Sequence, residues 1–224
     1  MDSRLLQLAD SAFPTGAFAH SFGFEAVHQL GKLRDETSIV RRLREFIWHT
    51  ATSTLPFFNA AFDLERAPTV NGIVALDRWN EMYLSNHIAR RASTAQGRAF
   101  LLASEATLEG TEASTIIRAL REELPHAHVA VAMGSTFRAI DVARADARRV
   151  HLFAALRGVT SALVRLGAMG PLRSQKLMFD LHPLLDEALD ATEGLLPDDA
   201  TSVAPFLEIA QTLHDRLYSR LFQS

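Results

Sequence analysis

The sequence predicts an all-α protein, a single domain over residues 1–224 built as a bundle of roughly eight to ten helices. Apolar residues recur with a period near 3.6 along almost the whole chain. Strand-like alternation is hard to find, and Gly or Pro breaks separate the periodic stretches. A chain of 224 residues that is 48% hydrophobic can also bury one large core.

The first clear helix follows residue 34. Asp35 or Thr37 can cap it, and its apolar face would carry Ile39, Leu43, Phe46, Ile47 and Thr50. Pro56 is placed to begin another helix, because proline is favoured in a first turn. That helix is expected to end at the Ala67-Pro68 stop.

The middle of the chain is strongly helical. Residues 73–108 are predicted as nearly continuous helix, which Gly110 then separates from the next helix. Thr111 can cap the next helix, which ends at Pro125. The following stretch, VAVAMGSTFRAI, is the one place where a short strand competes with helix.

The second half of the chain begins with a central helix near Asp146. Its heptad-like positions are Leu152, Leu156, Val159, Leu163 and Leu166. The 167–171 break ends it, and Pro183 should kink or divide the next helical stretch. After the loop GLLPDDATS, a last helix would place on one face Phe206, Ala210, Leu213, Leu217 and Leu221.

Composition excludes several functional classes. The net charge of −3 and a pI near 6.3 offer no basic field for nucleic acid. The absence of cysteine excludes disulfides, thiolate metal sites and a cysteine nucleophile. No apolar run approaches the roughly 20 residues of a membrane span, and the first residues do not resemble a signal peptide. These features predict a cytoplasmic protein.

Histidine pairs are the candidates for a metal site. His126 and His128 form an H-x-H pair, and His20 and His28 could share a helix face. Neither pair has a carboxylate at ligand spacing, and no H-E-x-x-H motif occurs. The sequence therefore predicts neither a metal site nor a cofactor, and a structural or solvated role for both pairs.

Motifs for nucleophilic catalysis and phosphate binding are also lacking. Ser21 and Ser135 have glycine neighbours, but not at the spacing of a G-x-S-x-G elbow. The chain contains no G-x-x-x-x-G-K-[ST] loop, and GAMGP over residues 167–171 is typical of a helix end and turn. The sequence therefore predicts no catalytic residue.

Residues 8–25, LADSAFPTGAFAHSFGFE, combine a Pro-x-Gly turn with crowded apolar side chains. Phe22 and Phe24 would diverge by about 200° on a helix, so Phe13, Phe18, Phe22 and Phe24 cannot share one stripe. Either the segment is buried on all sides or part of it is exposed for a partner. Its polar residues could also line a catalytic pocket: Asp10, Ser11, His20, Ser21 and Glu25.

The last residues, YSRLFQS, carry large apolar side chains and an arginine where a terminus is usually polar and frayed. One interpretation is that this segment becomes ordered against a partner, since arginine and aromatic residues dominate interface hot spots. Deleting residues 218–224 would then leave the fold nearly intact. The alternative is that the last helix docks into its own core.

Three segments resemble the urease accessory protein UreF family. In LLQLADSAFPTGAFAHSFGFEA the matching positions are Leu5 to Leu8, Pro14, Gly16, Phe18, Ser21, Gly23 and Glu25. In ALVRLGAMGPLRSQKLMFDLHP they are Arg165, Gly170, Gln175 and Lys176. The third segment is HDRLYSRLFQS, and a looser match surrounds Arg90, Ser93 and Gly97. The chain departs from the family pattern at Ala17, Asn86, His87, Pro171 and Asp215.

This resemblance implies an all-α, non-enzymatic chaperone for urease maturation. Such a protein dimerises, binds the accessory protein UreD (UreH in some organisms), and recruits and regulates the GTPase UreG. The complex supports GTP-dependent nickel insertion into apo-urease, so any nickel binding belongs to the complex. The residues then expected to bind partners are Phe13, Pro14, Gly16, Phe18, His20, Ser21, Glu25, Arg165, Gly170, Gln175, Lys176, Tyr218, Arg220, Leu221 and Phe222.

Two further expectations concern how these residues are used. Arg165, Arg173 and Lys176 are predicted to cluster beside the 167–176 turn and to face UreG. The alternatives are an all-helical hydrolase or ligand-binding protein with a pocket near His20, and a helical adaptor outside urease biology. Co-purification with UreD and UreG would separate these hypotheses.

Overall fold

The structure, a computed structural model, describes residues 2–64 and 70–224 and is all-α over these ranges. Ten of its helices are seven residues or longer, in agreement with the predicted bundle. In chain order the helices are α1 Ser3–Leu8, α2 Phe24–Gln29, α3 Glu36–Ser53, α4 Leu55–Asp63, α5 Val70–Tyr83, α6 His87–Thr107, α7 Glu112–Glu123, α8 Val129–Ala139, α9 Arg144–Arg165, α10 Pro171–Asp180, α11 His182–Ala191 and α12 Pro205–Thr212.

Helix α8 lies at the centre of the bundle and packs chiefly against α4 and α6. Its residues from Ala130 to Phe137 are all buried, so no face of the helix is left to solvent. A side chain at Gly134 would place a Cβ 2.5 Å from the carbonyl oxygen of Phe58, so glycine permits the close approach of α4. The stretch in which strand competed with helix is therefore a buried helix.

Several predicted helix ends are confirmed because local side-chain chemistry defines them. Asp35, rather than Thr37, caps α3: its carboxylate accepts the N–H of Ser38, whose hydroxyl accepts the N–H of Asp35. Thr111 caps α7. Pro183 divides the helical stretch into α10 and α11. The Ala67-Pro68 stop lies outside the described residues.

The predicted helix over residues 73–108 is wrong in one respect, because it is broken between Tyr83 and His87. The Asn86 side chain accepts the backbone N–H groups of Ile88 and Ala89 and so caps α6. Its amide also donates to the carbonyl of Glu208, which ties the break to α12.

The predicted last helix is too long. Helix α12 ends at Thr212, a 3₁₀ turn covers His214–Arg216, and residues 217–224 are not helical. Leu217 and Leu221 therefore do not continue the face of Phe206 and Ala210. Within the described ranges, no helix combines the length and the apolar composition that crossing a bilayer requires.

Candidate functional site

The loop between α1 and α2 forms one side of the candidate site. Gly16 adopts left-handed backbone at its turn, with φ of 69°. Phe13 is half-buried and meets Phe100 of α6 edge-on, with ring centroids 5.9 Å apart. Pro14 and Phe18 are exposed, and Phe24 is fully buried. The segment is therefore neither buried on all sides nor exposed as a whole.

Residues 217–224, the C-terminal tail, lie against this loop. The N–H of Ser21 donates to the main-chain oxygen of Ser224 at 2.7 Å, and the N–H of Gln223 donates to the carbonyl of Ala19 at 2.8 Å. The Gln29 amide donates to the carbonyl of Ser219 at 2.8 Å. The tail is thus fixed by the loop and α2 of its own chain.

Glu25 is the buried anchor of the tail. Its carboxylate is 2% exposed and accepts the N–H of Leu221 at 2.6 Å and the N–H of Phe222 at 3.3 Å. A buried carboxylate needs such donors, because an unpaired charge is costly to desolvate. His214 Nδ1 lies 3.7 Å from the same carboxylate. The Glu25 side chain therefore holds the tail by binding the main chain of the tail.

His20 and Ser21 are also used by the tail. His20 Nδ1 lies 2.5 Å from the hydroxyl of Ser224, and the Ser21 hydroxyl donates to the Ser224 main-chain oxygen at 3.1 Å. Burial lowers the pKa of His20 to about 4, and the positive charges of His214 and Arg91 act in the same direction. His20 is therefore a neutral, structural histidine at neutral pH.

A cavity of about 350 Å³ lies behind the loop. Its walls include Asp10, Ser11 and Phe13 of the loop, whereas His20, Ser21 and Glu25 lie outside them. The polar residues that resembled a catalytic constellation are thus divided between two places. A hydrolytic pocket built from His20, Ser21 and Glu25 does not form in the described structure.

The outer side of the tail is exposed. The Arg165 guanidinium lies 4.3 Å from the ring centroid of buried Phe222 and 5.8 Å from that of exposed Phe18, and it donates to the Phe18 carbonyl. Tyr218 is fully exposed and Leu221 is 53% exposed. We call the group of Phe18, Arg165, Tyr218, Arg220 and Leu221 the tail surface.

A second exposed surface lies on α10. Leu172 and Phe179 are 87% and 67% exposed, and Gln175 and Lys176 lie between them on the same side of the helix. Lys176 pairs with Asp180 and lies 5.8 Å from the ring centroid of Phe179. We call Leu172, Gln175, Lys176 and Phe179 the α10 face. Gly170, the N-cap residue of α10, is exposed.

The three cations predicted to cluster beside the 167–176 turn each have a different partner. Arg165 points to the tail surface, Arg173 pairs with Glu36 at the start of α3, and Lys176 pairs within α10. Each cation is thus paired or stacked with a different group: the turn separates Arg165 from α10, whereas Arg173 and Lys176 lie three residues apart on that helix.

Two buried histidines, His20 under the tail and His151 of α9, make stability depend on pH. Burial lowers the pKa of both His20 and His151 from 6.5 to about 4, so the unfolded chain binds more protons between these values. We expect stability to fall on acidification, by about 1 kcal/mol per histidine between pH 7.5 and 5.5. Thermal unfolding of His20→Gln should show a weaker pH slope. Exposed His182→Gln is the control, and equal slopes in the two variants would contradict the assignment.

Comparison with known proteins identifies related sequences. A family model named UreF matches residues 33–182. Urease accessory protein UreF of Kocuria rhizophila is 31% identical over 98% of this chain and 95% of the relative. Urease accessory protein F of Oryza sativa is 28% identical over 96% of this chain and 82% of the relative. The protein of the same type from Paenarthrobacter aurescens is 29% identical over 98% and 96%.

Proposed function

Because this chain belongs to the UreF family of urease accessory proteins, we propose that it serves urease maturation by binding other proteins. It is a non-catalytic accessory protein rather than an enzyme. In this proposal a cytoplasmic homodimer binds UreD (or UreH) and then recruits and regulates UreG. The assembled complex delivers nickel, the cargo, to apo-urease in a step that depends on GTP bound by UreG.

The tail surface is the observation that carries the UreD part of the proposal. Tyr218 and Leu221 are exposed on a segment whose main chain is held by Glu25. A large apolar side chain exposed on a fixed segment binds with little further loss of conformational entropy. Tyrosine and arginine, here Tyr218 and Arg220, are also the residue types that most often dominate an interface.

The ordered tail changes the binding mechanism expected from the sequence. A disordered tail would lose part of its binding free energy in becoming ordered on UreD. The tail already lies on its own chain, so a preformed surface binds the partner instead. His20, Ser21, Glu25 and Phe222 then act indirectly, since all four are buried and hold the segment in place.

The α10 face supports the UreG part of the proposal. Two exposed apolar side chains, Leu172 and Phe179, flank the polar Gln175 and Lys176. An exposed apolar helix stripe of this kind fits the groove or helix of a partner. Lys176 would contribute a charge at the rim, where it affects association rate and specificity more than affinity.

A pull-down with purified UreD and UreG tests both parts. Tyr218→Ala and Arg220→Ala should each weaken the UreD complex by about 1–3 kcal/mol, a range usual for interface hot spots. Lys176→Ala should leave UreD binding intact and reduce UreG recruitment or its GTP turnover. Matched controls are Leu196→Ala for an exposed apolar side chain and Lys32→Ala for an exposed lysine.

The outcomes separate the two surfaces. UreD binding that is equally strong in Tyr218→Ala, Arg220→Ala and the Leu196→Ala control would remove the tail surface from the proposal. Unchanged UreG recruitment and GTP turnover in Lys176→Ala would remove Lys176. Failure of the native chain to bind either protein would contradict the proposed function as a whole.

A further inference from the structure

Three potential metal ligands from distant parts of the chain converge beside α8. Glu81 belongs to α5, and His126 and His128 belong to the segment that joins α7 to α8. One donor atom from each lies within 4.8 Å of the other two. Glu81 Oε2 is 2.9 Å from His128 Nε2 and 3.8 Å from His126 Nδ1. The fold thus supplies the carboxylate that the sequence spacing around the H-x-H pair lacks.

The segment that carries both histidines is held rigidly. The carboxylate of Asp77, which is fully buried, accepts the backbone N–H of His126 at 2.8 Å, of Ala127 at 3.0 Å and of His128 at 2.8 Å. Asp77 lies four residues before Glu81 on α5, so one helix face presents the anchoring and the ligating carboxylate. This arrangement fixes both imidazoles relative to Glu81 before any ligand binds.

The ring nitrogen of His128 that faces away from Glu81 has a hydrogen-bond partner, as in metal-ligating histidines. Its Nδ1 lies 3.1 Å from the hydroxyl of Ser93, which also accepts the N–H of Val129. When Nδ1 carries the proton and donates it to Ser93, the Nε2 lone pair points at Glu81. In this tautomer Nε2 can bind a metal ion shared with the carboxylate, and a histidine ligand ordinarily has such a second hydrogen bond. In the other tautomer Nε2 carries the proton and donates to Glu81 Oε2 at 2.9 Å.

We propose that Glu81, His126 and His128 bind a divalent transition-metal ion of the Zn²⁺ or Ni²⁺ type. Two imidazole nitrogens and one carboxylate oxygen are a ligand set that such ions accept, and they leave a coordination position for water or another group. This proposal differs from the sequence analysis, which predicts no metal site. It does not depend on the proposed role in urease maturation, because it rests only on this chain's own side chains.

The surrounding charges are compatible with a cation. Arg90 donates to Glu81 Oε1 at 3.0 Å and leaves Oε2, the oxygen that faces both histidines. Glu81, Asp77 and Arg90 together carry a formal charge of −1, which favours a cation. His128 is fully buried, whereas His126 is 35% exposed and gives access from solvent.

Metal titration of tag-free protein tests this site. We expect the native chain to bind one Zn²⁺ or Ni²⁺ per chain in competition with a chromogenic chelator, and the ion to raise its thermal midpoint. His126→Ala should weaken binding by about 100-fold or more, and Ser93→Ala by about 10–100-fold, the usual effect of removing a hydrogen bond to a ligand. Exposed His182→Ala is the matched control.

The His126 variant keeps the test decisive, because its side chain is partly exposed and its removal should leave the fold intact. A midpoint near that of the native chain without metal verifies this. The proposal is overturned if the native chain binds no stoichiometric ion. It is also overturned if His126→Ala binds as tightly as the native chain, or if His182→Ala loses affinity to the same extent.

Discussion

Removing residues 218–224 is expected to lower the thermal midpoint by about 5–10 °C, from a loss of about 2–4 kcal/mol of folding free energy. This is the opposite of the result expected from the sequence, which treats the segment as dispensable for the fold. The reason is that the deleted residues include Phe222 and Ser224, which are buried. They also include the two N–H groups that donate to the buried carboxylate of Glu25.

The size of this effect follows from the contacts that are lost. Burying a phenylalanine side chain stabilises a fold by about 1.5–3 kcal/mol, and the truncation loses this contribution. A hydrogen bond to a charged group contributes about 1.5–3 kcal/mol. Regained conformational entropy of the missing residues and hydration of Glu25 offset part of the loss. The expected net loss of folding free energy is therefore smaller than the sum of the individual contact contributions.

Two point variants separate the structural and the binding roles of the tail. Phe222→Ala should destabilise the chain, because the ring is 5% exposed and packs under the Arg165 guanidinium. Tyr218→Ala should change stability by less than about 0.5 kcal/mol, because the ring is fully exposed. Calorimetry and UreD binding on both variants distinguish the two roles. Phe222→Ala should lose stability, whereas Tyr218→Ala should keep its stability and lose affinity for UreD.

The opposite outcome would be equally clear. A truncated chain with an unchanged midpoint, and a Phe222→Ala variant as stable as Tyr218→Ala, would mean that the tail does not contribute to the fold. The sequence interpretation, in which only a partner orders these residues, would then be correct.

Helix ends could be read from the sequence because they depend on neighbouring residues. Asp35 and Thr111 cap helices through bonds that span three residues, and Pro183 acts on its own helix. The break before α6 was missed because apolar periodicity continues on both sides of it. Asn86 is the local signal that could have revealed it, as asparagine favours the cap position.

The candidate sites depend on contacts that no local pattern encodes. The bond from Leu221 to Glu25 joins residues 196 positions apart, and Glu81 and His128 are 47 positions apart. The sequence identified Glu25 and the H-x-H pair as residues of interest. It could not identify their partners, because periodicity places a residue on a helix face and not beside a distant segment.

Gly97→Ala is expected to have the largest effect of a single methyl group on this fold. A Cβ at position 97 would lie 1.8 Å from the carbonyl oxygen of Ala127, so α6 and the segment before α8 would have to separate. Overpacking usually costs about 1–3 kcal/mol, and we expect at least about 3 kcal/mol here because the clash is with main chain. The midpoint should fall by about 6–12 °C.

A double-mutant cycle with Ala127→Gly tests the cause of that loss. Ala127 has a φ of 56°, a left-handed conformation that glycine adopts more readily, so Ala127→Gly alone should be neutral or slightly stabilising. It cannot relieve the clash, because the carbonyl oxygen remains, and Gly97→Ala should cost the same in either background. Gly194→Ala, where a Cβ meets nothing within 4 Å, is the control. A Gly97→Ala chain as stable as this control would show that α6 does not approach residue 127 so closely. That result would also mean that this packing does not position His128 in the proposed metal site.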